Sequence, residues 1–214
     1  MLMREECKRR FEPVIAAIDS LLKEKENVDE VLLVAIDGRC AGGKTTLSNY
    51  LEMIYDCNIF HMDDFFLQGF QRTEERLRET GGNVDYERFY SEVLEPVLQR
   101  REVLYRPYSC ALGKILSEKV IDFKKLNIVE GSYSMHPYFG SVYQLSFFLD
   151  IDRKDQIENI RERDGEEKLQ RFVEEWIPKE EAYFAAYGIR EKGINIFWKP
   201  YLTKTGTPTK INSN

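Results

Sequence analysis

Short, unbroken apolar runs punctuate this chain, and most of them stop at an acid or a glycine. VLLVAI at residues 31–36 is continuous and rich in branched side chains, the pattern of a strand buried on both faces. LNIVE at 126–130 and LSFFLDI at 145–151 repeat it, and NIFHM at 58–62 and INIFW at 194–198 are shorter versions. Between these runs the apolar spacing lengthens to that of helices. Phe11, Val14, Ile15, Ile18, Leu21 and Leu22 predict one amphipathic helix over residues 3–26. A second helix opens near Lys44, a third covers 85–100 with Asp85 as its N-cap, a charged one covers 153–163, and a longer one, carrying Pro178 near a turn, covers 172–188. EVLYRPY and EKVIDF read as two short strands of a hairpin. Residues 63–70 are a loop of acids and aromatics, 71–84 are polar and carry Gly81-Gly82, and the polar tail 203–214 is expected to be poorly ordered.

Strands alternating with helices predict an α/β fold with a parallel sheet covered by helices on both faces. At 214 residues the chain suits a single domain over 1–214. Its expected parts include an N-terminal helical segment at 1–28, a hairpin insertion at about 102–122 and a lid region at about 153–170. Ligands of such folds bind beyond the carboxyl ends of the strands. Three predicted strands end there in Asp37-Gly38, Asp63-Asp64 and Glu130-Gly131.

The turn after the first strand reads DGRCAGGKTT. Ordered glycine costs backbone entropy, so three in six residues need a reason. From Gly38 to Thr45 the turn fits G-x-x-x-x-G-K-[ST] between a strand and a helix, the context that makes this phosphate-loop (P-loop) pattern specific. Glycines let backbone N–H groups approach phosphate oxygens, and the helix N-terminus adds its partial positive charge. Gly38, Arg39, Cys40, Ala41, Gly42, Gly43, Lys44, Thr45 and Thr46 therefore form the candidate cradle for a nucleoside triphosphate, ATP or GTP. Lys44 would set a positive charge on the β- and γ-phosphates, and Thr45 would offer a hydroxyl to Mg²⁺. An N-K-x-D guanine motif is absent from the sequence.

Composition narrows the setting. Hydrophobic residues make up 43 %, enough for a substantial core, and the net charge of −6 argues against non-specific nucleic-acid binding. No run approaches the roughly 20 apolar residues of a membrane span. The charged start MLMREECKRRFEP lacks a secretory pattern, and Cys7, Cys40, Cys57 and Cys110 form no CxxC pair. Free thiols in the cytoplasm are the expectation. Self-association into a homo-oligomer is compatible with the pattern.

A small-molecule kinase needs a group that positions or deprotonates the acceptor hydroxyl, and Asp63 or Asp64 stands where one is wanted. Asp63 or Glu130 would reach Mg²⁺ through water. Phe65, Phe66 and Phe70 could wall a flat ring or pack in the core. Arg161 and Arg163 could close over the phosphates, with Arg153 and Arg171 as weaker candidates. The acceptor region shows no obvious basic cluster, which weighs against a phosphosugar.

Taken in order, the P-loop, HMDDFF, DYERF, YRPY, VEGSY and RERD resemble the uridine kinase and phosphoribulokinase family over roughly residues 31–190. The resemblance implies a P-loop kinase that uses ATP or GTP with Mg²⁺ to phosphorylate a sugar hydroxyl, the 5′-hydroxyl of uridine or cytidine in the uridine kinases. It assigns the catalytic aspartate to Asp63, the ribose-binding acid to Asp85, the base-packing aromatic to Tyr108, the family glutamate to Glu130 and the lid arginines to Arg161 and Arg163. Phe66 replaces a base-contacting tyrosine, Ser109 replaces an aspartate, and the basic, histidine-bearing run after YRPY is missing, with His136 as a candidate substitute. Another acceptor of the same family, a phosphosugar or a pantothenate-like molecule, is the alternative. A nucleotide-dependent switch is the competing class.

Overall fold

A computed structural model describes residues 2–198; the expectation for the tail at 203–214 falls outside them. The strands are β1 (Leu32–Gly38), β2 (Cys57–His61), β3 (Val103–Tyr105), β4 (Tyr108–Ser109), β5 (Lys114–Ile115), β6 (Lys119–Ile121), β7 (Leu126–Glu130), β8 (Leu145–Ile151) and β9 (Ile194–Trp198). The helices are α1 (Leu2–Arg10), α2 (Glu12–Glu24), α3 (Lys44–Ile54), α4 (Glu74–Arg78), α5 (Tyr86–Phe89), α6 (Glu95–Leu98), α7 (Arg153–Asp164), α8 (Glu166–Arg171), α9 (Ile177–Tyr187) and α10 (Ile189–Lys192). A π-helical segment, Tyr90–Leu94, joins α5 to α6, and another, Phe172–Trp176, joins α8 to α9.

One parallel sheet in the order β2-β7-β1-β8-β9 organises the chain. Side chains of β1 alternate between two cores. Leu33 and Ala35 join Phe89, Val93, Tyr183 and Phe184 on one face, while Leu32, Val34 and Ile36 join Phe11, Val14, Ile18, Leu47 and Leu51 on the other. Both faces are thus covered, as the continuous apolar runs predict. Glu130 lies level with Ile36 of β1 and with His61 of β2, so the three strand ends open onto one edge. β3 pairs antiparallel with β6, and β4 with β5, outside the main sheet.

The N-terminal segment departs from the single helix predicted for 3–26. It breaks at Phe11, whose ring is buried, and restarts as α2 with Pro13 in its first turn. Proline lacks the N–H for a continuous helix but is tolerated in a first turn.

Candidate functional site

The turn between β1 and α3 is packed against β8. A Cβ on Gly38 would fall 2.2 Å from the Leu149 carbonyl oxygen, and its φ of +134° is one that side chains rarely permit. Gly43 takes the left-handed N-cap position of α3 with φ +89°, and no side chain caps that helix end. The N–H groups of the first helical turn have no partner within the helix. Among the described residues they meet no capping side chain either, which is the condition for receiving an anion. Lys44 is 8 % exposed and folds back along the turn. Its Nζ donates to the carbonyl oxygens of Gly38 (2.7 Å) and Arg39 (3.0 Å) and to Ser132 Oγ (3.3 Å).

Acids from the neighbouring strand ends face this turn. Thr45 Oγ1 donates to Glu130 Oε1 at 3.3 Å, and His61 Nδ1 donates to the same oxygen at 2.5 Å. The Glu130 hydrogen bond raises the His61 pKa. Asp64 accepts from the Tyr105 hydroxyl at 2.7 Å and is held there. Asp63 is exposed, and its carboxyl takes no side-chain hydrogen bond or ion pair among the described residues. The protein walls around it push its pKa from 3.8 up to about 6; Lys44 opposes this, and Glu130, Glu180 and Asp64 add to it.

The other candidates take varied places. Asp85 is buried as the N-cap of α5, accepting from Arg88 N–H (3.1 Å) and from Gln71 Nε2 (2.8 Å). Arg39 turns away from the loop, donating to the Ile151 carbonyl and pairing with Glu181 at 2.9 Å and Asp150 at 3.4 Å. Cys40 is half-buried with its thiol beside Gln156, and its pKa is raised by desolvation there. Gln156 and Asn159 of α7 donate to the carbonyl oxygens of Cys40 and Ala41, docking α7 on the loop. Arg161 pairs with Glu158 and Glu166, and Arg163 pairs with Asp164. Tyr108 is half-buried in the small β4–β5 ladder, and the Phe66 ring lies 5.7 Å from that of Trp176. His136 Nδ1 accepts from Tyr138 N–H, its ring stacks on Tyr86 at 4.3 Å, and burial lowers its pKa to about 4, so it is neutral at pH 7.

Two acids that the sequence reading left without a role hold the loops together. Asp37 is fully buried and accepts from the N–H groups of Gly38, Tyr133 and Met135 and from the Tyr183 hydroxyl. Burial pushes its pKa up to about 6. Glu180 of α9 accepts from Cys40 N–H at 3.1 Å and from Ser132 Oγ at 2.5 Å. Its signal is an acid on the same helical stripe as the buried Ile177, Tyr183 and Phe184.

Oxygen donors from Thr45, Asp63 and Glu130 suit a hard cation such as Mg²⁺. Among the described residues, no group of three His, Cys, Asp or Glu side chains could hold a metal ion. Such an ion would depend on phosphate oxygens and water for its remaining ligands. A cavity of about 150 Å³ opens beside Phe66, walled by Arg72, Asn83, Arg171, Trp176 and Lys179. A larger groove of about 620 Å³ lies between helix residues 91–96 and the hairpin and includes no strand-end residue of the main sheet. The three cations of the first cavity meet only on folding, since Arg72 lies about a hundred residues before Arg171 and Lys179.

No family model matches the chain, and no curated protein matches it in sequence. Solved structures match it in fold. A possible uridine kinase from Bacillus stearothermophilus aligns with TM-score 0.62 at 17 % identity, over 86 % of this chain and 99 % of that one. The D-glycerate 3-kinase from Cryptococcus neoformans aligns with TM-score 0.60 at 14 % identity, over 87 % and 94 %. The YGR205w protein aligns with TM-score 0.59 at 16 % identity, over 88 % and 94 %. At these identities the likeness is one of fold, that of the P-loop kinases. Among the described residues no helix is long and apolar enough to cross a membrane.

Proposed function

We propose that this chain is an NTP-dependent kinase that transfers the γ-phosphoryl group to a hydroxyl of a small molecule. The observation that carries the reading is the uncapped, lysine-bearing start of α3 facing acids at the ends of β2 and β7. In this reading Gly38–Thr46 enclose the phosphates of ATP or GTP, and Lys44 exchanges its bonds to loop carbonyls for phosphate oxygens. Thr45 and Glu130, with Asp63, would hold Mg²⁺, which neutralises phosphate charge when bound. Asp63 orients the acceptor hydroxyl and takes its proton, being the aspartate of its pair that no tyrosine engages. Most of the rate comes from alignment and fixed charge. Arg161 and Arg163 serve as lid cations once they leave their carboxylate partners.

Uridine or cytidine is the acceptor that the sequence resemblance names. Engagement of Asp85 by Arg88 and Gln71 leaves the ribose-binding role without direct support. The D-glycerate 3-kinase among the fold neighbours adds hydroxy acids to the phosphosugar and pantothenate-like alternatives. The test is ADP release from Mg·ATP, or GDP release from Mg·GTP, across a panel of nucleosides, sugars, sugar phosphates and hydroxy acids. A kinase responds many-fold to one member. Slow hydrolysis unchanged by every member would instead favour a nucleotide switch.

A further inference from the structure

The cavity beside Phe66 has a chemistry the proposed mechanism does not use. Arg72, Arg171 and Lys179 line it, and no carboxylate does, in a chain whose net charge is −6. Arg171 Nε and Lys179 Nζ both donate to Glu175, at 3.0 and 2.8 Å, so these two cations share one acid. The Arg72 guanidinium has no hydrogen bond or ion pair among the described residues. Three cations thus stand against a single carboxylate. Their mutual repulsion is unfavourable unless an anion joins them.

Two further features aim the cavity at a ligand. The side-chain nitrogen of Asn83, in its wall, is buried without a partner in hydrogen-bonding geometry, although the Tyr133 hydroxyl lies nearby and is unpartnered itself. An acceptor oxygen in the cavity would satisfy that donor. Trp176 stands between the cations, with Arg171 Cζ 5.3 Å and Lys179 Nζ 5.5 Å from its ring, and Phe66 packs beside it. These contacts hold the two cationic side chains against a rigid surface.

Through Phe66 the cavity wall is continuous along the chain with the candidate base. Phe66 follows the short turn Met62–Phe65 that carries Asp63. Cys110, in the same wall, lies within the electrostatic reach of Arg72, Asp63 and Arg171 together. At about 150 Å³ the space is below the several hundred Å³ of pockets for drug-sized ligands.

We infer that this cavity is the acceptor subsite and that the acceptor is a small hydroxylated anion, its carboxylate or phosphate held by Arg72, Arg171 and Lys179 and a hydroxyl presented to Asp63. The inference rests on the kinase reading for the role of Asp63, and on the cavity alone for the charge of the ligand. Arg72 supplies the planar fork that carboxylate and phosphate share. The Asn83 amide donates to a neighbouring oxygen of the same molecule.

The sequence contains two tryptophans, Trp176 and Trp198, so Trp198→Phe leaves Trp176 as a single reporter inside the cavity wall. With Mg·ADP saturating, Trp176 emission is titrated with inorganic phosphate, glycerate, glycerol phosphate, glycerol and uridine. A saturable change is expected with at least one anion, and the glycerate and phosphate arms tell which anionic group is preferred. Arg72→Gln, at an exposed position whose loss leaves the fold intact, should weaken that anion at least about tenfold, and Arg72→Lys should restore part of the loss. No saturable response to any anion, or an equal response to glycerol or uridine, overturns the inference. If a neutral acceptor is phosphorylated while the anions fail to bind, the kinase reading stands and this subsite falls. If an anion binds through Arg72 while no member of the acceptor panel is phosphorylated, the subsite stands and the kinase reading falls.

Discussion

A carboxylate that takes a proton from an acceptor hydroxyl must be ionised when the acceptor arrives. Asp63 is pushed up to about 6, so its competent fraction shrinks as pH falls through that value. Log kcat/KM should therefore drop with unit slope below about pH 6 and level off above it, as a pH–rate profile would register. His61, Glu130 and Lys44 face the same cleft, so the assignment needs a second readout. Asp63→Asn should retain nucleotide binding, measured by calorimetry, while losing at least about a hundredfold in turnover. Lys44→Ala should cost roughly a thousandfold, about 4 kcal/mol of barrier, in kcat/KM; near-parent turnover would remove Lys44 from its role. Lys44 was legible because the pattern around it has a local mechanism. Asp37 and Glu180 were not, since apart from the adjacent Gly38 N–H their partners lie 48 to 146 positions away along the chain.

Among the elements, the strand–turn–helix from β1 to α3 tolerates least change. Gly38 abuts the backbone of β8, where a Cβ would sit 2.2 Å from one carbonyl oxygen and 2.7 Å from an amide nitrogen. Backbone atoms of a central sheet pair cannot swing aside as a flexible side chain can. Gly38→Ala should lower stability by about 3 kcal/mol, roughly 6–12 °C in Tm, and weaken nucleotide binding along with it. A thermal unfolding curve unchanged by the substitution would show that β1 and β8 separate more easily than their packing implies. The strands of the main sheet were readable from apolar runs, because burial on both faces demands continuity. The N-terminal break at Phe11 was not, because the apolar spacing runs through Pro13 without interruption. The cationic cavity draws Arg72 from the loop before α4, Arg171 from the end of α8 and Lys179 from α9, so no local window of sequence holds it.

At the scale of the whole molecule, the candidate nucleotide site is where separate parts of the fold meet. The turn after β1 is tied to β8 by Arg39, to α7 by Gln156 and Asn159, to α9 by Glu180, and to the segment after β7 through Ser132 and Lys44. A ligand seated there contacts an arrangement that the unfolded chain lacks, so its binding adds to global stability. At a hundredfold excess over Kd, Mg·ADP should stabilise the fold by about 2.7 kcal/mol, or roughly 5–11 °C in Tm for a chain of this length. Lys44→Ala should abolish most of that shift. Arg72→Gln should leave it intact, because Arg72 lies outside the phosphate loop, yet remove any additional shift produced by an anionic acceptor. Differential scanning of the parent and these two variants, with and without Mg·ADP, separates the two sites by which increment disappears. A nucleotide shift as large in Lys44→Ala as in the parent would place the nucleotide somewhere other than the turn after β1.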